Sequence, residues 1–224
     1  MPLTDSELIN LEKKYFDILK RIFSEHLGEI INQLYSQQNI PIYPSGTSNP
    51  IQKGAQNIIE GIIDRQQGWN IASMGVSSDS CFECGDAIIH LEAKTILDTD
   101  DDHRFNRIVL ERNQTSYDST RDIPVSGKGW RSNLRFYENH VRFGEIPNLT
   151  FALRITYSRT NLIEEIRLIS IPNGQFYPVY LSSILAAGKT KGTGATRPNI
   201  RFLVDPITAV TEHSWRSEIL FLRR

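Results

Sequence analysis

The stretch Ser77–Ile96 contains two strand-like runs joined at a glycine, and it restricts the fold more than any other part of the chain. Apolar and polar residues alternate along residues 87–96, a period of two that is typical of a half-buried strand. The first run ends at Cys84. Gly85-Asp86 then stands where a two-residue hairpin loop needs a glycine with positive φ. The sequence therefore predicts a β-hairpin.

The predicted turn also sets the pairing of the two strands. In a hairpin centred between Gly85 and Asp86, the numbers of paired residues add up to 171, so Asp79 faces Glu92. Directly opposed side chains project from one face with Cβ atoms roughly 5 Å apart. Lys94, two residues beyond Glu92, lies on that face too. The register therefore brings two carboxylates and one ammonium group together.

Two opposed carboxylates repel each other, and a sheet rarely holds such a pair without a compensating cation. We therefore expect Asp79 and Glu92 to bind Mg²⁺, which accepts few hard oxygen ligands and can polarise a phosphodiester. Lys94 then orients the attacking water or neutralises charge that develops on the phosphate oxygens. The alternative is an ordinary hairpin with solvated charges. Asp86 is a rival first acid, although turns favour aspartate for backbone hydrogen bonding.

Asp79, twelve intervening residues and Glu92-Ala93-Lys94 resemble the active-site signature of the PD-(D/E)XK nuclease superfamily, in which the acid and E-X-K lie on adjacent strands. Ser78 stands where the name of the motif has proline. The resemblance implies an α/β fold of the restriction-endonuclease type, with a mixed central β-sheet flanked by helices. It also implies that Asp79, Glu92 and Lys94 are catalytic and that Asp79 and Glu92 are the metal ligands.

The residues after the hairpin, through the strand at 106–110 to Arg112–Tyr117, resemble the EcoRV/HincII-like branch of the type II restriction endonucleases. In that branch a loop in this place reads DNA. Side chains that donate and accept hydrogen bonds can contact base edges or phosphates. We therefore expect DNA contacts from four residues of this run: Asn113, Gln114, Thr115 and Ser116. A polar surface loop is the alternative.

The charges are segregated along the chain, although the net charge is only −1. Residues 79–118 carry ten acidic and four basic residues, whereas residues 166–204 carry five basic residues and no acid. An acid-free basic segment suits a polyanion. Within it, the glycine-rich loop Gly188–Pro198 lacks the spacing of a nucleotide-binding loop. We expect this loop to contact DNA through Lys189, Lys191 and Arg197. The cations and aromatic residues of segment 121–142 could follow a phosphate strand.

The length of 224 residues fits a single nuclease domain, residues 1–224. We divide it into an N-terminal helical segment (1–38), a catalytic core (50–120) and a DNA-contacting loop (186–201).

A capping box at Thr4–Glu7 begins a helix that runs to about Gln37, with an interruption expected at Gly28. A second helix begins at Asn49-Pro50 and ends near Gln67-Gly68. Further strands are expected at 151–157, 162–171, 200–204 and 219–222, and residues 179–187 are expected to be partly helical.

Cys81 and Cys84 form the one C-x-x-C pair, and a structural zinc site would need two more ligands. We therefore expect them to be small strand residues. The sequence has no signal peptide and no apolar run approaching 18 residues, so a cytoplasmic protein is expected.

The sequence and the resemblance together predict a Mg²⁺-dependent type II restriction endonuclease that hydrolyses phosphodiesters in double-stranded DNA. A homodimer is expected, because a two-fold protein most economically cuts both strands of a symmetric site. Neither a membrane nor a nucleotide cofactor is expected as a partner. Two alternatives stay open: a PD-(D/E)XK repair or junction nuclease, and a DNA-binding protein without catalytic activity.

Overall fold

The computed structural model describes residues 2–37, 50–71, 80–118, 131–188 and 199–223. The α-helices in these ranges are α1 (Asp5–Glu25), α2 (Leu27–Gln37), α3 (Pro50–Gln67), α4 (Asp101–Arg104), α5 (Tyr177–Tyr180) and α6 (Val204–Ala209). The strands are β1 (Asn70–Ile71), β2 (Ser80–Glu83), β3 (Ile88–Leu97), β4 (Arg107–Leu110), β5 (Tyr137–His140), β6 (Gly144–Tyr157), β7 (Ile163–Ile171), β8 (Leu185–Ala187), β9 (Ile200–Leu203) and β10 (Ser217–Leu222). Short 3₁₀ turns occupy Gly174–Phe176 and Thr211–Arg216.

Helix α1 begins at the predicted capping box. The Thr4 hydroxyl accepts a hydrogen bond from the Glu7 N–H (3.3 Å), and the Glu7 carboxylate accepts one from the Thr4 N–H (2.8 Å). The interruption falls at His26 and not at Gly28, where it was expected. His26 leaves helical geometry, with φ −103° and ψ 14°, while its N–H still donates to the Ile22 carbonyl. Helix α3 begins at Pro50 as predicted, because proline is well suited to the first turn.

The main sheet is mixed and has the strand order β1-β2-β3-β6-β7-β10, with β5 paired to the first half of β6. Strand β3 is antiparallel to β2 and parallel to β6. A second, three-stranded sheet has the order β4-β9-β8. The predicted mixed central sheet flanked by helices is confirmed.

One large apolar cluster connects the N-terminal helices to the main sheet. It contains alternate residues of the central strands, such as Ile89 and Leu91 of β3 and Phe151 and Leu153 of β6, all of them buried. The same cluster includes Leu8 near the start of α1. Burial of each such side chain contributes about 1.5–3 kcal/mol, so this face of the sheet anchors α1, α2 and α3.

The structure corrects several sequence-based element boundaries. Strand β6 begins at Gly144, whereas only residues 151–157 were predicted. The first half of β6 contains Pro147 and pairs with β5. Because β5 consists mainly of polar residues, the hydrophobic pattern of the sequence did not reveal β5 or its pairing with β6. Residues 179–187 are helical only where they overlap α5, and they end in β8. The strand predicted at 200–204 ends one residue earlier.

In the residues that the structure describes, no helix has the length and hydropathy to cross a bilayer.

A buried ion pair links α1 to the C-terminal part of the chain. Arg216 donates to the Glu12 carboxylate, and both residues are at most 1% exposed. Glu12 also accepts the Asn173 N–H (2.8 Å), while Arg216 donates to the Ser170 hydroxyl (3.0 Å). Burial raises the pKa of Glu12, and the neighbouring Arg216 charge opposes that rise.

We expect the substitution Arg216→Met to lower the free energy of unfolding by about 3–5 kcal/mol, because it leaves the buried Glu12 carboxylate uncompensated. Lys20→Met is the matched control. It breaks the exposed Lys20–Glu218 pair (2.9 Å), which also joins α1 to the C-terminal residues, and should cost only about 0–1 kcal/mol. Urea unfolding at pH 7 measures both changes. Equal costs for the two variants would contradict the assigned role of the buried pair.

Candidate active site on the polar face of the central sheet

The two faces of strand β3 have different chemistry. Because successive side chains point to opposite faces of a strand, Ile89 and Leu91 pack in the apolar cluster, and His90, Glu92 and Lys94 share the other face. The register with β6 places Arg154 beside Lys94 on that same face. Charged residues therefore line one side of the centre of the sheet.

Glu92 and Lys94 form an ion pair at this position. The Lys94 Nζ lies 2.9 Å from Oε2 of Glu92, whose side chain is completely buried, while 24% of the Lys94 side chain is exposed. The i, i+2 spacing on a strand gives this contact directly. The arrangement combines a carboxylate in the protein interior with an ammonium group that reaches solvent.

The predicted hairpin register is confirmed in the described residues. The pairs run from Glu83–Ile88 to Ser80–Leu91, and the numbers in each pair add up to 171. The turn is closed by a hydrogen bond from the Cys84 N–H to the Ala87 carbonyl (3.0 Å), and Gly85 has φ +82°. Asp79, which would be the next residue along β2, lies outside the described residues.

The four predicted DNA contacts in the run after β4 have different environments. Gln114, Thr115 and Ser116 are at most 4% exposed. The Thr115 hydroxyl accepts the Tyr117 N–H (3.0 Å), and the Ser116 hydroxyl accepts the Gly174 N–H (3.2 Å). These three side chains are buried and help to hold the loop in place, so their contact with DNA stays a prediction.

Asn113 is the one of these four residues that is partly exposed. Its carboxamide oxygen accepts a hydrogen bond from the Asn133 side chain (2.6 Å). Asn133 and its neighbours Arg131 and Arg135 are exposed. Lys189, Lys191 and Arg197 of the predicted DNA-contacting loop lie outside the described residues, as do residues 119–130.

Gln114 connects this run to the ion pair. Its side-chain oxygen accepts hydrogen bonds from the Lys94 Nζ (3.2 Å) and from the Glu111 N–H (2.8 Å). Sequence reasoning assigned Gln114 to DNA and did not identify this contact. A lysine in a strand and a glutamine twenty positions later carry no spacing signal that a pattern search can detect.

A buried arginine network continues the polar face beyond Lys94. Arg154 is 1% exposed and donates to the Glu165 carboxylate (2.8 Å), which also accepts from the Arg167 Nε (2.9 Å). Burial raises the pKa of Glu165, but the hydrogen bonds from Arg167 and Arg154 outweigh it and lower that pKa to about 2. A cavity of about 180 Å³ lies between this network and β4, lined by residues that include Lys94, Asp102, Arg107 and Arg154.

His90 belongs to the framework of the site. Its imidazole is buried and lies 2.9 Å from the Asn148 side-chain oxygen (Nε2 to Oδ1). Burial lowers the pKa of His90 to about 4, so the ring is neutral near pH 7. A neutral ring bonded to an asparagine positions β3 against β6.

The two cysteines are not disulfide-bonded, and Cys81 is buried. Burial raises the pKa of both Cys81 and Cys84 to about 12, which disfavours the thiolate that metal binding or redox chemistry needs. This environment agrees with their predicted role as small strand residues.

Asp86, the rival acid, is bound at the hairpin turn by Lys14 (2.6 Å) and by the Tyr15 hydroxyl.

Among the described residues, no cluster of three or more histidine, cysteine, aspartate or glutamate side chains could hold a metal ion. Glu92 supplies one hard carboxylate at the site. Such a donor fits Mg²⁺, which is commonly held by one or two protein carboxylates and otherwise by water and phosphate oxygens.

Comparison with protein families gives two adjacent matches. The model of the N-terminal domain of the type II restriction enzyme MwoI matches residues 6–161, more than half of the chain, and the model of its central domain matches residues 163–201. The comparison with curated proteins gives no match.

Two solved structures share the fold. The restriction endonuclease BglI, bound to its DNA recognition sequence, has a TM-score of 0.68 at 13% identity, with 93% of this chain and 89% of that chain covered. The tetrameric restriction endonuclease SfiI, bound to cognate DNA, has a TM-score of 0.74 at 15% identity, with 97% and 85% covered. The predicted restriction-endonuclease-like fold is confirmed.

We expect the substitution Glu165→Gln to lower the free energy of unfolding at pH 7 by about 3 kcal/mol, because the ionised carboxylate holds two arginines. The pKa of Glu165 is lower in the folded chain, so its contribution is complete above the unfolded-state pKa of 4.5. The contribution is lost as the pH falls from 4.5 towards 2. The difference in free energy of unfolding between the wild type and Glu165→Gln should therefore decrease by roughly 1.4 kcal/mol per pH unit below 4.5.

Denaturant unfolding at pH 7 and pH 3.5 measures this difference. Glu164→Gln is the control, since Glu164 makes only a half-exposed contact with Arg223 (3.7 Å) and its loss should cost about 0–1 kcal/mol. If the loss of free energy of unfolding in Glu165→Gln were the same at both pH values, it would contradict the assignment of Glu165 as an ionised carboxylate.

Proposed function

The chain belongs to the family of the type II restriction enzyme MwoI, and from this premise we propose how its residues cut DNA. It is a sequence-specific type II restriction endonuclease, a site-specific deoxyribonuclease that acts on DNA. Family membership favours this activity over the two alternatives, a repair or junction nuclease and a DNA-binding protein without catalysis.

We propose that Glu92, together with Asp79, holds Mg²⁺ at the polar face of the sheet. Glu92 presents a buried carboxylate, the type of ligand that Mg²⁺ prefers, and it forms an ion pair with Lys94. The register of β2 and β3 supports the choice of Asp79, because an extension by one residue beyond Ser80–Leu91 pairs Asp79 with Glu92. When bound there, Mg²⁺ would supply a positive charge that polarises the phosphodiester and favours deprotonation of the attacking water. We propose on this basis that the chain is a member of the PD-(D/E)XK superfamily; the EcoRV/HincII-like branch stays a prediction.

Lys94 acts next to this carboxylate. Its ammonium group reaches solvent while Glu92 fixes its position, so it can donate a hydrogen bond to the attacking water or to a phosphate oxygen that gains negative charge. A preorganised cation of this kind stabilises the transition state more than the ground state. The observation that carries the proposal is the ion pair of Glu92 and Lys94 on β3, just beyond the described pairs of the hairpin.

DNA contacts are proposed on two parts of the chain. The first is the exposed surface around Asn113, Arg131, Asn133 and Arg135, which adjoins Lys94 through Gln114. The second is the glycine-rich loop with Lys189, Lys191 and Arg197, where basic residues occur without acids. Cations of this kind bind the phosphate backbone and set affinity, whereas asparagine side chains can read base edges.

A homodimer is proposed as the active form. A two-fold dimer most economically cuts both strands of a symmetric site, because it supplies two active centres with one kind of interface. We further propose that residues 1–224 act as a single nuclease domain.

We expect Lys94→Ala to reduce the rate of phage DNA cleavage by about 10²–10³-fold, because the variant lacks the cation that stabilises the transition state. DNA binding, measured with Ca²⁺ in place of Mg²⁺, should be retained. Removal of divalent ions with EDTA should abolish cleavage by the wild type, and Mg²⁺ should restore it. Gel analysis of the fragments measures all of these changes.

Lys20→Ala is the control for this experiment, because Lys20 lies on α1 and pairs with Glu218 on the surface. It should cleave like the wild type. Wild-type cleavage rates in Lys94→Ala, or undiminished cleavage in EDTA, would refute the proposed mechanism.

We expect the triple substitution of Lys189, Lys191 and Arg197 by alanine to weaken the salt dependence of DNA binding. Each lost phosphate contact removes about 0.9 from the slope of log K against log salt concentration, or about 2.7 for all three. Fluorescence anisotropy at several salt concentrations measures the slope. A triple alanine variant of Lys13, Lys14 and Lys20 on α1 should leave it unchanged, and an unchanged slope in the loop variant would remove the loop from the DNA interface.

A further inference from the structure

The side chain of Gln114 occupies a buried position between the proposed catalytic lysine and the exposed loop. Gln114 is 4% exposed, and its main-chain carbonyl accepts a hydrogen bond from the Thr150 hydroxyl on β6 (3.1 Å). Its carboxamide oxygen accepts from the Lys94 Nζ (3.2 Å) and from the Glu111 N–H (2.8 Å). The glutamine is thus fixed from two sides, by the sheet and by its own loop, while it contacts the lysine.

We propose that Gln114 is a positioning residue that holds the Lys94 ammonium group in its catalytic orientation and couples it to the DNA-facing loop. This inference rests on the function proposed for Lys94.

Two oxygens of different character contact the ammonium group. A lysine has three N–H donors, and the Gln114 oxygen accepts one of them (3.2 Å), which gives that N–H a defined direction. The Glu92 carboxylate, 2.9 Å away, holds the ammonium group by the attraction of opposite charges. A neutral amide oxygen orients the ammonium group without cancelling its positive charge, whereas a second carboxylate would cancel it.

The contribution of Gln114 matters most when DNA and metal are bound. Glu92 is also a proposed metal ligand, and a bound metal ion would weaken its attraction for Lys94. The Gln114 oxygen is not a proposed metal ligand and would keep its contact with Lys94. The lysine would therefore retain one fixed partner during the reaction.

The loop that carries Gln114 is attached to an exposed segment. The Asn133 N–H donates to the Arg112 carbonyl (2.8 Å), and the Ser132 hydroxyl donates to the Ser116 carbonyl (3.2 Å). Asn133 also binds the Asn113 side chain. Contact of DNA with this segment would therefore shift or lock the backbone on both sides of Gln114, and Gln114 would transmit that change to Lys94.

The first test is Gln114→Met, which keeps the length of the side chain and removes the acceptor. We expect the single-turnover rate of phage DNA cleavage to fall by about 10²-fold, as for a misplaced catalytic group. The Kd for DNA with Ca²⁺ should stay within about threefold of the wild type, because the lost interaction acts in the transition state. A rate within twofold of the wild type, or a loss that follows Kd or the melting temperature, would overturn the proposal.

Gln175→Met is the matched control. Gln175 binds the Leu3 carbonyl (3.0 Å), Asp5 (2.7 Å) and the Tyr137 hydroxyl (2.6 Å) instead of Lys94. It loses a similar set of hydrogen bonds away from the site. We expect this variant to cleave like the wild type.

A second readout does not depend on cleavage. Acetic anhydride modifies lysine amines, and mass spectrometry gives the rate at Lys94 relative to Lys20 in the same molecule. We expect this ratio to rise in Gln114→Met, where the amine has lost one partner, and to stay unchanged in Gln175→Met. Equal ratios in wild type and Gln114→Met would overturn the positioning role.

Comparison with Lys94→Ala distinguishes a failure of the role proposed for Gln114 from a failure of the function proposed for Lys94. If Lys94→Ala is inactive while Gln114→Met cleaves at the wild-type rate, only the role of Gln114 is overturned. If Lys94→Ala cleaves like the wild type, the function proposed for Lys94 falls, and with it the catalytic meaning of the Gln114 contact.

Discussion

Strand β3 must satisfy two different environments, and the rest of the structure follows from this constraint. Its odd-numbered side chains, such as Ile89 and Leu91, belong to the apolar cluster that anchors the N-terminal helices. Its even-numbered side chains place Glu92 and Lys94 on the opposite face. A shift of one residue in the pairing would put the charges into the apolar cluster. The apolar packing and the turn at Gly85 therefore hold the charged residues in position.

Buried charged side chains need partners of opposite charge, and the residues of the polar face pair with one another. Glu92 forms an ion pair with Lys94, and Glu165 on β7 binds both Arg154 and Arg167. Such pairs contribute little net stability compared with apolar packing, since desolvation offsets their attraction. The Glu92–Lys94 pair fits the catalytic role proposed for these residues, because catalysis needs fixed charges in a place with little water.

The hairpin, its register and the side-by-side position of Glu92 and Lys94 could be predicted from sequence, because they depend on local alternation and on one glycine. The contact of Gln114 with Lys94 could not, since it requires the tertiary packing of a loop on the sheet. Packing also buried Thr115 and Ser116, whose polar side chains had favoured a DNA contact. Polarity indicates the capacity for hydrogen bonds but not their partner, and here the partners are backbone amides of the protein.

In the proposed site, Asp79 and Glu92 share one metal ion on the face that carries Lys94. A crystal structure of the protein with DNA and Ca²⁺ would show whether they do. We expect a cation within about 2.3–2.6 Å of carboxylate oxygens from both residues and next to a DNA phosphate. An ion bound elsewhere, or Asp79 and Glu92 on opposite faces of the sheet, would contradict the proposed hydrolytic site.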